Sequence, residues 1–178
     1  MFEIEVKAKI DNKEEIIKKL KSLNFSFVKK EYQEDIYFNG IDRDFKETDE
    51  ALRIRDVCGN YYLTYKGPKL DKISKSREEI EVRIEDKEKM KNILKKLGFK
   101  EVRVIKKCRE IYKKDNNITV CIDDVEGLGT FIELEKEAEE YNKNDVQELL
   151  NLLELLNISK ENIITKSYLE MMEYEKEK

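Results

Sequence analysis

Short segments of this 178-residue chain alternate charged and apolar residues with period two, and their charged positions carry paired acids or paired bases. They are Glu3-Ile4-Glu5-Val6-Lys7, Ala51-Leu52-Arg53-Ile54-Arg55, Arg77 to Ile84, Lys107-Cys108-Arg109 and Glu133-Leu134-Glu135. Period two is the pattern of β-strands whose two faces differ. The apolar faces need a cover, which amphipathic helices supply. The charged faces then either meet solvent, as in an open antiparallel sheet, or turn inward in a closed barrel. Glu3-Ile4-Glu5-Val6-Lys7 alone would suit an edge strand defended by charge. Sorted pairs repeated on several strands favour a shared cavity.

Charged residues make up 43% of the chain, with 36 Lys plus Arg against 40 Asp plus Glu and a formal charge of −4. That near balance argues against a nucleic-acid binder working by bulk positive potential. Histidine is absent, which removes an imidazole base, a His-ligated zinc site and a Ser-His-Asp triad. Cys58, Cys108 and Cys121 form no C-x-x-C pair and read as reduced thiols. No leader-like or membrane-spanning apolar run is present, so a soluble, cytoplasmic protein without membrane partners is expected. The length suits one domain spanning 1–178.

Along the chain, Asp11 with Glu14 resembles a capping box ahead of a helix bearing Ile16, Ile17, Leu20 and Leu23. Strands are expected at Gln33 to Phe38 and from Ala51, with a polar loop between them. A turn at Gly59-Asn60 leads into Tyr61 to Lys66, and Gly67 to Ser76 reads as a mobile basic loop that could close over a substrate. Asp86 caps a helix that Gly98 closes. Val102 to Lys113 and Ile118 to Asp123 form a hairpin around Asp115-Asn116-Asn117, and a glycine-bearing turn at 126–129 opens Thr130 to Lys136. Helices follow, one with Val146, Leu149, Leu150, Leu153 and Leu156 on its apolar face and one starting near Ser167.

Segments about 2–38 and 78–113 also resemble each other. Glu3-Ile4-Glu5-Val6 recurs as Glu79-Ile80-Glu81-Val82, and Leu20-Lys21-Ser22-Leu23 as Leu94-Lys95-Lys96-Leu97. The expected fold is α+β: an eight-stranded antiparallel β-barrel with helices outside and a pseudo-two-fold internal repeat. Its interior would gather acids (Glu3, Glu5, Glu79, Glu81, Glu133, Glu135) and bases (Lys7, Arg53, Arg55, Arg77, Lys107, Arg109). Such a set suits a polyanion held together with Mg²⁺ or Mn²⁺: guanidinium forks for phosphate oxygens, carboxylates for a hard cation. Isolated buried ions cost several kcal/mol each, so the cavity should be a hydrated tunnel.

Together these segments resemble the CYTH family, which groups class IV adenylate cyclases with thiamine triphosphatases and tripolyphosphatases. The resemblance rests on Glu3-x-Glu5-x-Lys7, Gln33 to Phe38, Ala51 to Arg55, Leu63 to Pro68, Arg77 with Glu79 and Glu81, Lys107 with Arg109, Asp123 through Gly129 to Glu133 and Glu135, and Lys166-Ser167-Tyr168. It implies a triphosphate tunnel and divalent metal. It assigns metal ligation to Glu3, Glu5, Asp123, Glu133 and Glu135, and substrate contacts to Lys7, Arg53, Arg55, Lys66, Lys107, Arg109 and Lys166. Glu5, Glu135 and Lys7 would carry catalysis. The implied substrate is ATP, tripolyphosphate or thiamine triphosphate. The motif run lies closest to the class IV adenylate cyclase group, giving cyclic AMP and pyrophosphate; the alternatives are triphosphate hydrolysis and non-catalytic nucleotide or polyphosphate binding. A homodimer is compatible with the long C-terminal helix.

Overall fold

Alternation of outward apolar and inward polar or charged side chains runs along most strands of a closed barrel, seen in a computed structural model that describes residues 1–115 and 117–177, the last four as backbone alone. The elements are β1 (Phe2–Lys9), α1 (Lys13–Ser22), β2 (Ser26–Asn39), α2 (Phe45–Thr48), β3 (Ala51–Val57), β4 (Asn60–Lys66), β5 (Arg77–Ile84), α3 (Lys87–Leu97), β6 (Lys100–Lys113), β7 (Ile118–Val125), β8 (Gly129–Ala138), α4 (Lys143–Leu155), β9 (Ile163–Ile164) and α5 (Tyr168–Glu177). The order around the barrel is β5-β4-β3-β2-β6-β7-β8-β1, all antiparallel, and β1 returns to β5 through Phe2↔Glu78 and Glu3↔Arg77. The two-residue β9 adds to β1 beside Lys7 and Ala8.

Exchanging β1–β4 with β5–β8 leaves that order unchanged, the two halves meeting at β1–β5 and β2–β6. Both segments that resemble each other in sequence run strand–helix–strand, as β1-α1-β2 and β5-α3-β6.

Outside the barrel, Ile4, Val6 and Ala8 join Val120, Ile122, Ile132 and Leu134 under Leu149 and Leu153 of α4 and Ile16 and Leu20 of α1. Each such large side chain contributes about 1.5–3 kcal/mol by leaving water. A smaller cluster of Ile36, Phe38 and Ile54 sits under Leu94 of α3. A third apolar group, Tyr37, Ile105, Val125, Phe131 and Tyr168 with Leu169 and Met172, lies inside and lets α5 stopper one end. No helix among the described residues is long and apolar enough to cross a membrane.

Several local expectations are corrected. The cap of α1 is Asn12, whose side chain accepts from the Glu15 amide at 3.2 Å, and not Asp11. The β3–β4 turn is Cys58-Gly59, both at positive φ (50° and 88°), one residue before the expected position. The polar loop after β2 contains the short α2, capped by Asp44. Asp86 and Gly98 (φ 108°) bound α3 as the sequence suggests. The β6–β7 turn includes Asn116, which lies outside the described residues. The 67–76 loop is folded in: Asp71 accepts from the Ile73 and Ser74 amides and from Tyr141, and Ser74, Lys75 and Ser76 are buried. Cys58, Cys108 and Cys121 are free thiols.

Candidate functional site

Strand parity and ladder register together determine which charges meet. Glu5 and Lys7 are 2% and 1% exposed, and across the β1–β8 ladder they stand opposite Glu135 and Glu133. Register also sets Arg55 opposite Asp35, Lys66 opposite Glu79, and Arg109 opposite Asp123. Glu5, Glu133, Glu135, Arg55, Lys66, Glu79 and Arg109 line one interior cavity of about 700 Å³, which reaches a rim at Met1, Lys113 and Glu139, while Lys7, Asp35 and Asp123 sit behind that lining as their ion-pair partners.

Acids of that interior fall into two groups. Carboxylate oxygens of Glu3, Glu5 and Glu135 lie within 4.8 Å of one another. Burial, then the charge of neighbouring carboxylates, pushes Glu5 and Glu135 upward from the ordinary glutamate range. Each of the three also has a cation on one oxygen, Lys66 on Glu3 at 2.6 Å, Lys75 on Glu5 at 3.1 Å and Arg109 near Glu135 at 3.5 Å, whereas Asp123 and Glu133 have cations on both. Arg109 forks onto Asp123 at 2.7 Å from each of two nitrogens and reaches Glu133 at 2.9 Å. Burial alone would raise Glu133, yet Arg109, Lys7 and Lys75 hold it well below the ordinary range.

Bases line the same cavity. Arg55 makes a bidentate pair with Asp35 at 2.7 and 2.8 Å, and Lys107 approaches the same carboxylate at 3.7 Å. Lys66 bonds Glu3 at 2.6 Å and lies 3.3 Å from Glu79. Arg53 and Arg77 are buried beside the cavity, and the Nε of each lacks a hydrogen-bond partner among the described residues. Such unpaired buried donors suit an anionic guest. Lys7 donates to the Lys166 carbonyl at 3.2 Å and lies 3.5 Å from the centroid of the Tyr168 ring, a cation–π contact. Burial and the charge of Lys75 lower the Lys7 ammonium well below its usual range.

The structure thus gathers Glu3, Glu5, Arg53, Arg55, Lys66, Lys107, Arg109, Glu133 and Glu135 on one cavity, with Lys7 and Asp123 paired behind Glu133 and Arg109. Lys166 is set apart: its side chain is exposed and borders a second cavity, while its carbonyl serves Lys7. Sequence reasoning missed Lys75, whose ammonium reaches Glu5 at 3.1 Å and whose amide donates to the Glu5 carbonyl at 2.9 Å. It comes from a loop without periodicity, so parity could not find it. It also missed the roles of Asp35 and of Tyr168, whose hydroxyl donates to Asp123 at 2.7 Å.

The second cavity, about 470 Å³, adjoins the first and shares Tyr37, Ala51, Arg77 and Ser167 with it. Phe38, Phe45, Val102 and Leu169 give it apolar walls.

Residues 1–168 match the family described as the CYTH domain. Over 173 residues the chain is 65% identical to a Methanocaldococcus jannaschii protein named "Putative adenylate cyclase", covering 96% of this chain and 98% of that one. Adenylate cyclase CyaB of Aeromonas hydrophila is 29% identical over 172 residues, 94% of this chain and 86% of its own. Among solved structures, the PH1819 protein from Pyrococcus horikoshii OT3 is similar with a TM-score of 0.88 and 42% identity, covering 97% of this chain and 99% of that one.

Proposed function

The chain belongs to the CYTH family, and on that premise we propose that it is a divalent-metal-dependent enzyme of the class IV adenylate cyclase type, converting ATP to cyclic AMP and pyrophosphate. The observation that carries the reading is the Glu3–Glu5–Glu135 carboxylate cluster lining one cavity together with bases from β3, β4 and β6. Three hard oxygen donors crowded within 4.8 Å fit Mg²⁺ or Mn²⁺, and burial first, then neighbouring carboxylates, raise Glu5 and Glu135. When bound, the ion supplies charge neutralisation and Lewis-acid polarisation of phosphoryl oxygens.

The chain's own residues do the rest. Arg53, Arg55, Lys66, Lys107 and Arg109 hold the phosphates and stabilise the leaving pyrophosphate, with Lys75 and Arg77 beside them. Lys7, backed by Tyr168 and Glu133, approaches the phosphate nearest the carboxylates. Asp123 and Glu133 keep Arg109 oriented rather than serving as further metal ligands, because both oxygens of each already face cations, whereas Glu3 and Glu5 each face one through a single oxygen. Lys166 is assigned to closing the adjoining cavity. With no histidine in the chain, the proton of the attacking 3′-hydroxyl goes to a carboxylate of the cluster, Glu5 or Glu135. The adjoining apolar cavity favours a substrate with an organic group, the nucleoside lying there and the triphosphate among the bases.

A second reading, triphosphate hydrolysis, is favoured by the tunnel proper, whose charged walls would hold tripolyphosphate without any nucleoside. Incubation with ATP, tripolyphosphate and thiamine triphosphate, each with Mg²⁺ or Mn²⁺, separates them. Cyclic AMP and pyrophosphate from ATP without orthophosphate removes hydrolysis; orthophosphate without cyclic nucleotide removes cyclisation. Metal-dependent binding with no turnover removes both and leaves a binding module.

A further inference from the structure

The two sides of β5 are unequally used. Along one side it pairs with β4 from Lys66↔Glu79 to Tyr61↔Ile84. On the other it meets β1 only through Arg77 and Glu78, and the Glu79 amide donates to the Met1 carbonyl at 2.9 Å. From Ile80 to Ile84 no strand covers that side among the described residues. Backbone groups of alternate residues face alternate sides of an antiparallel strand. Since Glu79 faces β1, Glu81 and Arg83 turn their amides and carbonyls to the open edge.

Side chains along this edge are equally uncovered. Ile80 and Val82 are 57% and 55% exposed, whereas Ile4 and Val6, at the resembling positions of β1, are 0% exposed beneath α4. An apolar strand with an open edge is a template for another strand. The chemistry of the edge selects which strand. Ile80-Glu81-Val82-Arg83-Ile84 is self-complementary when paired antiparallel about Val82: Ile80 falls opposite Ile84, and Glu81 opposite Arg83. Neither charge makes an ion pair among the described residues; Glu81 accepts from the Thr64 hydroxyl at 2.8 Å and Arg83 donates to Asn60 at 2.9 Å.

We propose that this edge is the interface of a homodimer, β5 of one protomer pairing antiparallel with β5 of its partner about a two-fold axis at Val82. Each Glu81–Arg83 pair is then a hydrogen-bonded pair, and the two Val82 residues form the closer, non-hydrogen-bonded pair on the axis. The contact is isologous, as closed dimers require. Because Glu81 also borders the main cavity, the partner strand lies against the tunnel mouth beyond the Phe2–Glu78 pair.

Sedimentation velocity across micromolar to submillimolar concentrations tests the assignment. Wild type should dimerise; Glu81→Arg and Arg83→Glu should each be monomeric, facing like charges; an equal mixture of the two should dimerise again through restored opposite pairs. Independently, Val82→Cys in a Cys58→Ser background should give a covalent dimer on mild oxidation, since the paired positions approach within disulfide reach. A monomeric wild type, a dimer indifferent to Glu81→Arg, or a Val82→Cys protein that stays single on oxidation would each overturn it. A monomer would leave the edge to a strand from another protein.

Discussion

Burial, followed by the Arg109 and Arg55 guanidinium groups, pulls the Lys107 ammonium down to about 8, and Asp35 at 3.7 Å offsets this only in part. A bound triphosphate would restore the proton, so affinity should fall as pH rises through 8. Between pH 7 and 9.5 the Lys107 contribution amounts to roughly a 10- to 30-fold weakening. Lys107→Arg, whose side chain stays charged, should remove one proton from that dependence, as titration calorimetry in buffers of different ionisation heat would read. An unchanged proton count would mean Lys107 does not touch the ligand. Glu135→Gln keeps the shape of the carboxylate cluster while removing a charge; turnover should drop ~100-fold or more with the circular dichroism spectrum intact. Full activity in that variant would place the metal elsewhere. At this scale the sequence was informative wherever parity decides the matter. Glu5, Lys7 and Arg109 are inward because their strand neighbours are outward. It could not tell that Arg109 is held by Asp123 and Glu133, since ladder register joins residues that no local pattern connects.

Secondary-structure elements differ in how much of their placement is local. α3 was legible at both ends, because Asp86 and Gly98 each carry their own backbone preference. At α1 two adjacent capping residues compete, and Asn12 wins over Asp11. The 67–76 loop lies at the other extreme: Lys75 reaches Glu5 through hydrogen bonds of Asp71 and Ser74 that no periodicity announces. The apolar stripe of α4 gives a contrast within one helix. Leu153 is fully buried against β1 and β8, and Leu153→Ala should cost about 2–5 kcal/mol in urea unfolding. Leu155, 64% exposed, should tolerate alanine within about 0.5 kcal/mol.

As a whole, the molecule is a charged interior held by apolar packing on its outside, with α5 stoppering one end. Its class and barrel closure were legible because the charges sort by face across several strands; the stopper and the second cavity were not, since they join residues from opposite ends of the chain. A ligand that occupies the interior only in the folded state stabilises it. Tripolyphosphate with Mg²⁺ at about 100 times its Kd should contribute ~2.7 kcal/mol. For a chain this long that is a rise in Tm of roughly 5–10 °C, readable by differential scanning fluorimetry. No shift would show that the tunnel does not take the triphosphate. The narrow β1–β5 seam bears on time as well as on shape. β2–β3–β4 and β6–β7–β8 join chain neighbours, whereas β1 is fastened by partners as distant as Ile164, opposite Lys7. Local hairpins therefore form early and the ring closes late, a slow and entropically costly step. Until it closes, Ile4 and Val6 stay open to water and the acids of β1 stand apart from the bases they will face, so the charged interior comes into being only with the last stroke of folding.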